Sequence, residues 1–142
     1  MDKHIIKISC IAFWALAALP MLATAAPYSG ALGAPAGAID VWTVVCPDTT
    51  TVLESKVQDL KPVVAPLVSV QVIKGFKASN TTDPKEDTAY SPLAKNVVSA
   101  GTYYVFVDKT TIGAELYTID LVCKNAKNTV LVATSVTLTQ DN

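Results

Sequence analysis

From Ile39 onward the chain alternates apolar and polar positions in short runs broken by proline, glycine and asparagine, the two-residue period of strands. Residues 39–46 are rich in β-branched and aromatic side chains and stop at Pro47 and Asp48. In 51–59, Leu53, Ser55 and Val57 alternate with Glu54, Lys56 and Gln58, which predicts a half-buried strand with its odd-numbered side inward. Pro62 and Pro66 flank a connection, after which Val68, Val70 and Val72 alternate with Ser69 and Gln71. A short strand is expected at 96–99 and a long one at 102–108, where Tyr103, Val105 and Val107 oppose Tyr104 and Phe106. Residues 116–123 place Tyr117, Ile119, Leu121 and Cys123 on one face, and in 129–139 Val130, Val132, Val136 and Leu138 alternate with small or polar residues. Seven or eight such strands, with no helical period, predict an all-β fold: a single antiparallel β-sandwich of jelly-roll or immunoglobulin-like type.

Three stretches depart from this pattern. Residues 26–38 (APYSGALGAPAGA) are uncharged and built mainly of alanine, glycine and proline, the composition of a flexible lead-in. Residues 74–91 (KGFKASNTTDPKEDTAYS) are polar and read as a loop, long for a compact domain. At the start, Lys3 and Lys7 precede an apolar run over 8–22 and the small-x-small triplet Ala23-Thr24-Ala25, the layout of a signal peptide cleaved after Ala25 or Ala26. The alternative is an uncleaved anchor, since the apolar run approaches the ~20 residues that span a bilayer, but Pro20 followed by small residues suits processing better. The expected organisation is a signal peptide over 1–25, a lead-in over 26–38 and one sandwich over 39–142. Export by the general secretory route would take the protein to the periplasm, the cell surface or beyond.

Composition then removes most chemistries. The single histidine, His4, and both methionines lie in the leader, and no arginine occurs anywhere in the 142 residues. Mechanisms built on imidazole are therefore closed to 26–142, and no catalytic residue is assigned: the protein is expected not to be an enzyme. A formal net charge of −1 without arginine forks or a basic stripe argues against nucleic acid, and equally against an anionic membrane once the leader is removed. Asp83, Glu86 and Asp87 form the densest acidic group, but beside Lys85 in a polar loop they are expected to be solvated rather than a glycosidase pair. Asn80, Asp83, Glu86 and Asp87 together are a candidate calcium set of hard oxygen ligands, although the ordered DxDxDG loop is absent. No other cofactor is implied. Tyr104 and Phe106, on the outward side of their strand, with Phe76 and Tyr90 in the long loop, form a candidate binding surface of rings that stack on sugars or anchor a protein. The competing reading covers them with the loop or the last strand.

The run Asp40-Val41-Trp42-Thr43-Val44, the strand 67–72, and above all Ala100-Gly101-Thr102-Tyr103-Tyr104-Val105-Phe106-Val107 followed by Tyr117-Thr118-Ile119-Asp120-Leu121 resemble bacterial pre-peptidase C-terminal domains. The resemblance covers 39–122 and implies a small jelly-roll-like sandwich of the kind appended to exported enzymes, some relatives of which bind collagen, polysaccharide or calcium. It also implies that Trp42, Val44 and Cys46 face inward on the first strand while Tyr117, Ile119, Leu121 and Cys123 face inward near the other end. A Cys46–Cys123 disulfide would then tie first strand to last in an oxidising compartment, worth about 4 kcal/mol by chain entropy. A redox or metal-binding thiol pair is the alternative, without a CxxC or a histidine to support it. The function expected from these readings is a secreted non-catalytic binding or accessory module for an extracellular polysaccharide or protein surface. The alternative is a self-associating structural subunit of an extracellular fibre or surface layer, with 26–38 adding as a strand to a neighbour.

Overall fold

A computed structural model describes residues 26–60 and 66–142; the expected leader over 1–25 and the connection containing Pro62 lie outside the described residues. The described chain is all-β, with ten strands: β1 (Tyr28–Leu32), β2 (Asp40–Cys46), β3 (Thr50–Leu60), β4 (Val68–Lys74), β5 (Lys77–Thr82), β6 (Ala94–Asn96), β7 (Gly101–Lys109), β8 (Glu115–Asn125), β9 (Val130–Leu131) and β10 (Ser135–Gln140). They form two antiparallel sheets packed face to face. One has the order β1-β8-β3-β6, with β9 also paired to β8, and the other the order β10-β2-β7-β4-β5.

The two-residue period decides what lies between the sheets. Trp42, Val44 and Cys46 of β2, Val68, Val70 and Val72 of β4, and Tyr103, Val105 and Val107 of β7 point inward from one sheet. Leu53 and Val57 of β3 and Tyr117, Ile119, Leu121 and Cys123 of β8 meet them from the other. Register keeps these sets level, Val105 lying between Trp42 and Val72 across the strands. Each fully buried branched or aromatic side chain contributes ~1.5–3 kcal/mol, so the central strands supply most of the stabilisation. Cys46 and Cys123 are bonded, with Cα atoms 5.8 Å apart. Because β1, β9 and β10 lie outside them, the bond joins the second strand to the eighth and one sheet to the other.

Four expectations change. The lead-in over 26–38 contains strand β1, paired with β8 from Tyr28 opposite Ile119 to Leu32 opposite Glu115. Its small residues serve close approach rather than flexibility: a Cβ on Gly30 would overlap the Tyr117 ring and hydroxyl. The polar stretch 74–91 begins with a hairpin, β5 returning along β4 through a turn at Gly75 and Phe76 in which Gly75 has φ +57°. β5 reads as a loop because, as an edge strand, it carries mostly exposed polar side chains. The short strand expected at 96–99 falls at Ala94–Asn96, because the carbonyls of Val98 and Ser99 turn to accept the Tyr103 hydroxyl. Residues 129–139 are two strands, β9 pairing with β8 and β10 crossing to pair with β2 in the other sheet.

Candidate functional site

The two outer faces of the sandwich differ in chemistry. On the sheet β10-β2-β7-β4-β5 the outward positions form cross-strand rows. One row runs Ala78, Ile73, Tyr104, Thr43, Thr137, and the next Asn80, Gln71, Phe106, Val41. Above them Thr102 lies beside Val45, and below them Thr82 and Ser69 lead to Asp108, the one formally charged side chain on these rows. Tyr104 is 51% exposed and Phe106 is half-buried, so neither the loop nor the last strand covers this face. Two rings two residues apart on β7 stand ~7 Å from each other. Amides and hydroxyls border them on both sides.

Of the other two aromatic residues expected there, Phe76 is fully exposed at the tip of the β4–β5 turn, at the edge of the same sheet. Tyr90 is elsewhere. Lys56 of β3 stands 4.7 Å above its ring, and its neighbour Ser91 accepts the Val57 N–H at 3.0 Å, which fixes the segment on the opposite sheet. The structure therefore joins Tyr104 and Phe106, places Phe76 at their margin and separates Tyr90 from them.

The outer face of the other sheet is charged and internally paired. Lys56 meets Asp120 at 3.1 Å, while Glu54 takes Lys95 at 3.1 Å and Lys124 at 2.7 Å. Burial raises the Glu54 pKa, but hydrogen bonds from Lys124 and Lys95 and their charges outweigh it and hold the carboxyl below its usual range. A groove of about 300 Å3 runs over these pairs between Leu93, Val122 and Val130. Its charges already satisfy one another, and a ligand there would have to displace partners already held by the buried Glu54.

The candidate calcium set is divided. Asn80 stands on the uncharged face, and Asp87 is exposed with its Oδ1 accepting the Ala89 N–H at 2.6 Å. Asp83 and Glu86 turn instead toward the end of the sandwich, where they face Asp59 of β3. Among the described residues no group of three or more histidine, cysteine or acidic side chains is placed to hold a metal ion. Asp59 and Glu115, both buried, are the residues the sequence reading missed. The available signal was parity, since Asp59 continues the inward series Leu53, Ser55, Val57 and Glu115 precedes the inward series Tyr117, Ile119.

A third inward carboxylate, Asp40, is fully partnered. The Tyr117 hydroxyl donates to its Oδ2 at 2.5 Å, the Asn142 N–H donates to its Oδ1 at 3.0 Å, and Trp42 Nε1 donates to the Tyr117 oxygen at 2.9 Å. Burial, and then the neighbouring Asp40, push the Tyr117 hydroxyl pKa far up, so it stays a donor. This network holds the fold together and offers nothing to a ligand, because every polar atom in it is taken. No family model, curated protein or solved structure matches the chain.

Proposed function

We propose that this protein is a secreted, non-catalytic binding module that takes an uncharged extracellular polysaccharide on the outer face of the sheet β10-β2-β7-β4-β5. The observation that carries the reading is the contrast between faces. One is laced with ion pairs, whereas the other presents two rings bordered by Gln71, Asn80, Thr43 and Ser69 with almost no charge. Rings stack on the apolar side of a pyranose, amides and hydroxyls bond its hydroxyl groups, and a neutral chain pays no charge desolvation there. The leader pattern, the disulfide, the lack of histidine over 26–142 and the likeness to pre-peptidase C-terminal domains all support an exported accessory role. The fibre alternative needs 26–38 for a neighbouring subunit, whereas Tyr28–Leu32 is already paired with β8 of its own chain.

The test is a panel of immobilised neutral and acidic polysaccharides probed with the exported protein, Tyr104→Ala, Phe106→Ala and, as control on the charged face, Lys95→Ala. Tyr104→Ala is expected to weaken binding to a neutral glycan about tenfold, the loss of one stacking contact. Its melting temperature should stay unchanged, because half of the side chain is already in water. Lys95→Ala should bind normally. Binding confined to acidic glycans, or lost equally in the Lys95 control, would remove this face from consideration.

A further inference from the structure

The end of the sandwich remote from the disulfide buries more carboxyl groups than its hydrogen bonds account for. Asp59 is 0% exposed at the end of β3, and Glu115 is 3% exposed at the start of β8. Asp59 Oδ2 accepts the Val68 N–H at 3.2 Å. Among the described residues, its Oδ1 and both oxygens of Glu115 are buried and meet no donor. Leaving such atoms unpaired is costly, and two neighbouring ionised carboxylates at low dielectric would add repulsion to that. Asp59 lies opposite Tyr117, two residues from Glu115 along the same face of β8, and each carboxyl influences the other's titration. One proton relieves the conflict. Placed on Asp59 Oδ1, since Oδ2 is engaged by Val68, it gives Asp59 a donor and Glu115 an acceptor role, so that two of the three orphaned atoms form a carboxylic acid–carboxylate bond and the repulsion of two anions is removed.

We infer that Asp59 and Glu115 share one proton in the folded protein, and that this proton is a latch closing the end of the sandwich, released as pH rises. The latch joins both sheets and the long loop. Asp59 of β3 accepts from Val68 at the start of β4, and Asp83, just past β5, accepts the Asp59 N–H on Oδ2 at 2.8 Å and the Lys85 N–H on Oδ1 at 3.2 Å. Ser91 pins the far end of that loop to Val57. Among the described residues, the groups facing the pair are Asp83 and Glu86 from the loop, with Glu86 Oε1 also buried and unpartnered, and Lys109 from β7. Lys109 offsets part of this repulsion through its charge on Glu115, while its Nζ donates to the carbonyls of Gly33 and Gly113. β4 contributes its backbone N–H at Val68, and β1 leads into the Gly33 carbonyl.

Burial, then the charges of Glu115 and Glu86, push Asp59 up to about 7 against the opposing Val68 hydrogen bond, and burial with Glu86 raises Glu115 as well. The unfolded chain releases the Asp59 proton near its ordinary value of 3.8, while the folded chain keeps it to about 7. Between those values the folded state holds the extra proton, so the folding constant falls as pH rises, by about tenfold per unit for one proton. Above 7 the loss is complete and the pair stands as two buried anions.

Titration of the carboxyl carbons of the exported protein by NMR should place Asp59 near neutrality, and a midpoint near 4 would overturn the proposal. Amide protection of Asp59, Val68 and Lys85 should fall between pH 5 and pH 8, while that of Val44 and Val105 in the core follows only the global stability. Asp59→Asn mimics the protonated acid, so its stability should lose most of the pH dependence over this window and exceed the native protein's at pH 8. An unchanged slope in that variant would sink the latch. Should Asp59→Asn fail to fold, Glu115→Gln tests the same pair, because an amide donor must lower the Asp59 midpoint. Calcium is added in a parallel series: stabilisation at pH 8 that disappears in Asp59→Asn would put a metal ion where the proton is assigned, and would equally overturn it.

Discussion

Gly30 shows how one residue without a side chain sets the position of three with large ones. It lies opposite Tyr117 in the β1–β8 ladder, and the Tyr117 ring crosses the space a Cβ would need. From there the hydroxyl reaches Asp40 and takes the Trp42 N–H, while Tyr28 tilts against the Trp42 ring at 5.8 Å. Gly30→Ala must therefore displace either β1 or the ring that partners a buried carboxylate. The expected cost is ~1–3 kcal/mol, the range for overpacking, increased if Asp40 loses its donor. Urea unfolding followed by tryptophan fluorescence measures it directly, with Trp42 as reporter. A loss of a few tenths of a kcal/mol would mean that β1 is free to shift and that the network does not depend on it.

At the level of elements, the β4–β5 hairpin is a case where the turn residue decides the outcome. Gly75 has φ +57° at the first of two turn positions, a conformation that glycine adopts without steric penalty and that fits the tight hairpin turns with positive φ there. Nothing lies within 4 Å of a Cβ built on it, so Gly75→Ala tests backbone strain alone. The expected loss is ~1 kcal/mol in a denaturant midpoint, with Gly75→Asn losing less. Equal losses would show that the side chain rather than the backbone matters. The same hairpin explains what the sequence could and could not reveal. Strands buried on one face, such as β3 and β7, announce themselves by alternation because the core selects every second residue. β5 lies at the sheet edge and packs little, so its Lys77, Ser79 and Asn80 resemble loop, and only Gly75 marked the turn. β1 was hidden for the opposite reason, since contact with Tyr117 demands the small residues that elsewhere mean flexibility. The outward rings Tyr104 and Phe106 were legible from parity on β7, whereas the distance of Tyr90 from them depends on how the loop returns to β3, which no local pattern encodes.

At the largest scale, the decisive fact is that among the described residues the two sheets share no backbone ladder and are held by side chains at three levels. The middle is the apolar core. One end is the disulfide, where Cys123 lies opposite Leu53, and the other is the carboxyl cluster, where Glu115 begins β8 one position beyond Leu116 opposite Leu60. Eight residues of strand separate the two ends, ~27 Å. With the cysteines 77 positions apart in sequence, the cross-link removes about 4 kcal/mol of entropy from the unfolded chain. That is a large part of the 5–15 kcal/mol by which a domain of this size is ordinarily stable. Replacing both cysteines by alanine, or reducing the bond, is expected to lower the urea midpoint by that amount while the strand content survives, since Cys46 and Cys123 are a small part of the core. The protein without the expected leader, which holds Cys10, should show no alkylatable thiol before denaturation and reduction. A loss below ~1 kcal/mol would mean that packing alone clamps the sheets. With the covalent clamp gone the polar ties between the sheets include the Tyr117–Asp40–Trp42 network, the Asn96 amide on the Val72 carbonyl and the proton-sensitive pair at the far end. Because the cross-link acts on the unfolded chain and the proton on the folded one, the two effects add, and the reduced protein should unfold at pH 8 in less denaturant than at pH 5 by the same margin as the oxidised protein; a wider margin would show that the two ends are coupled.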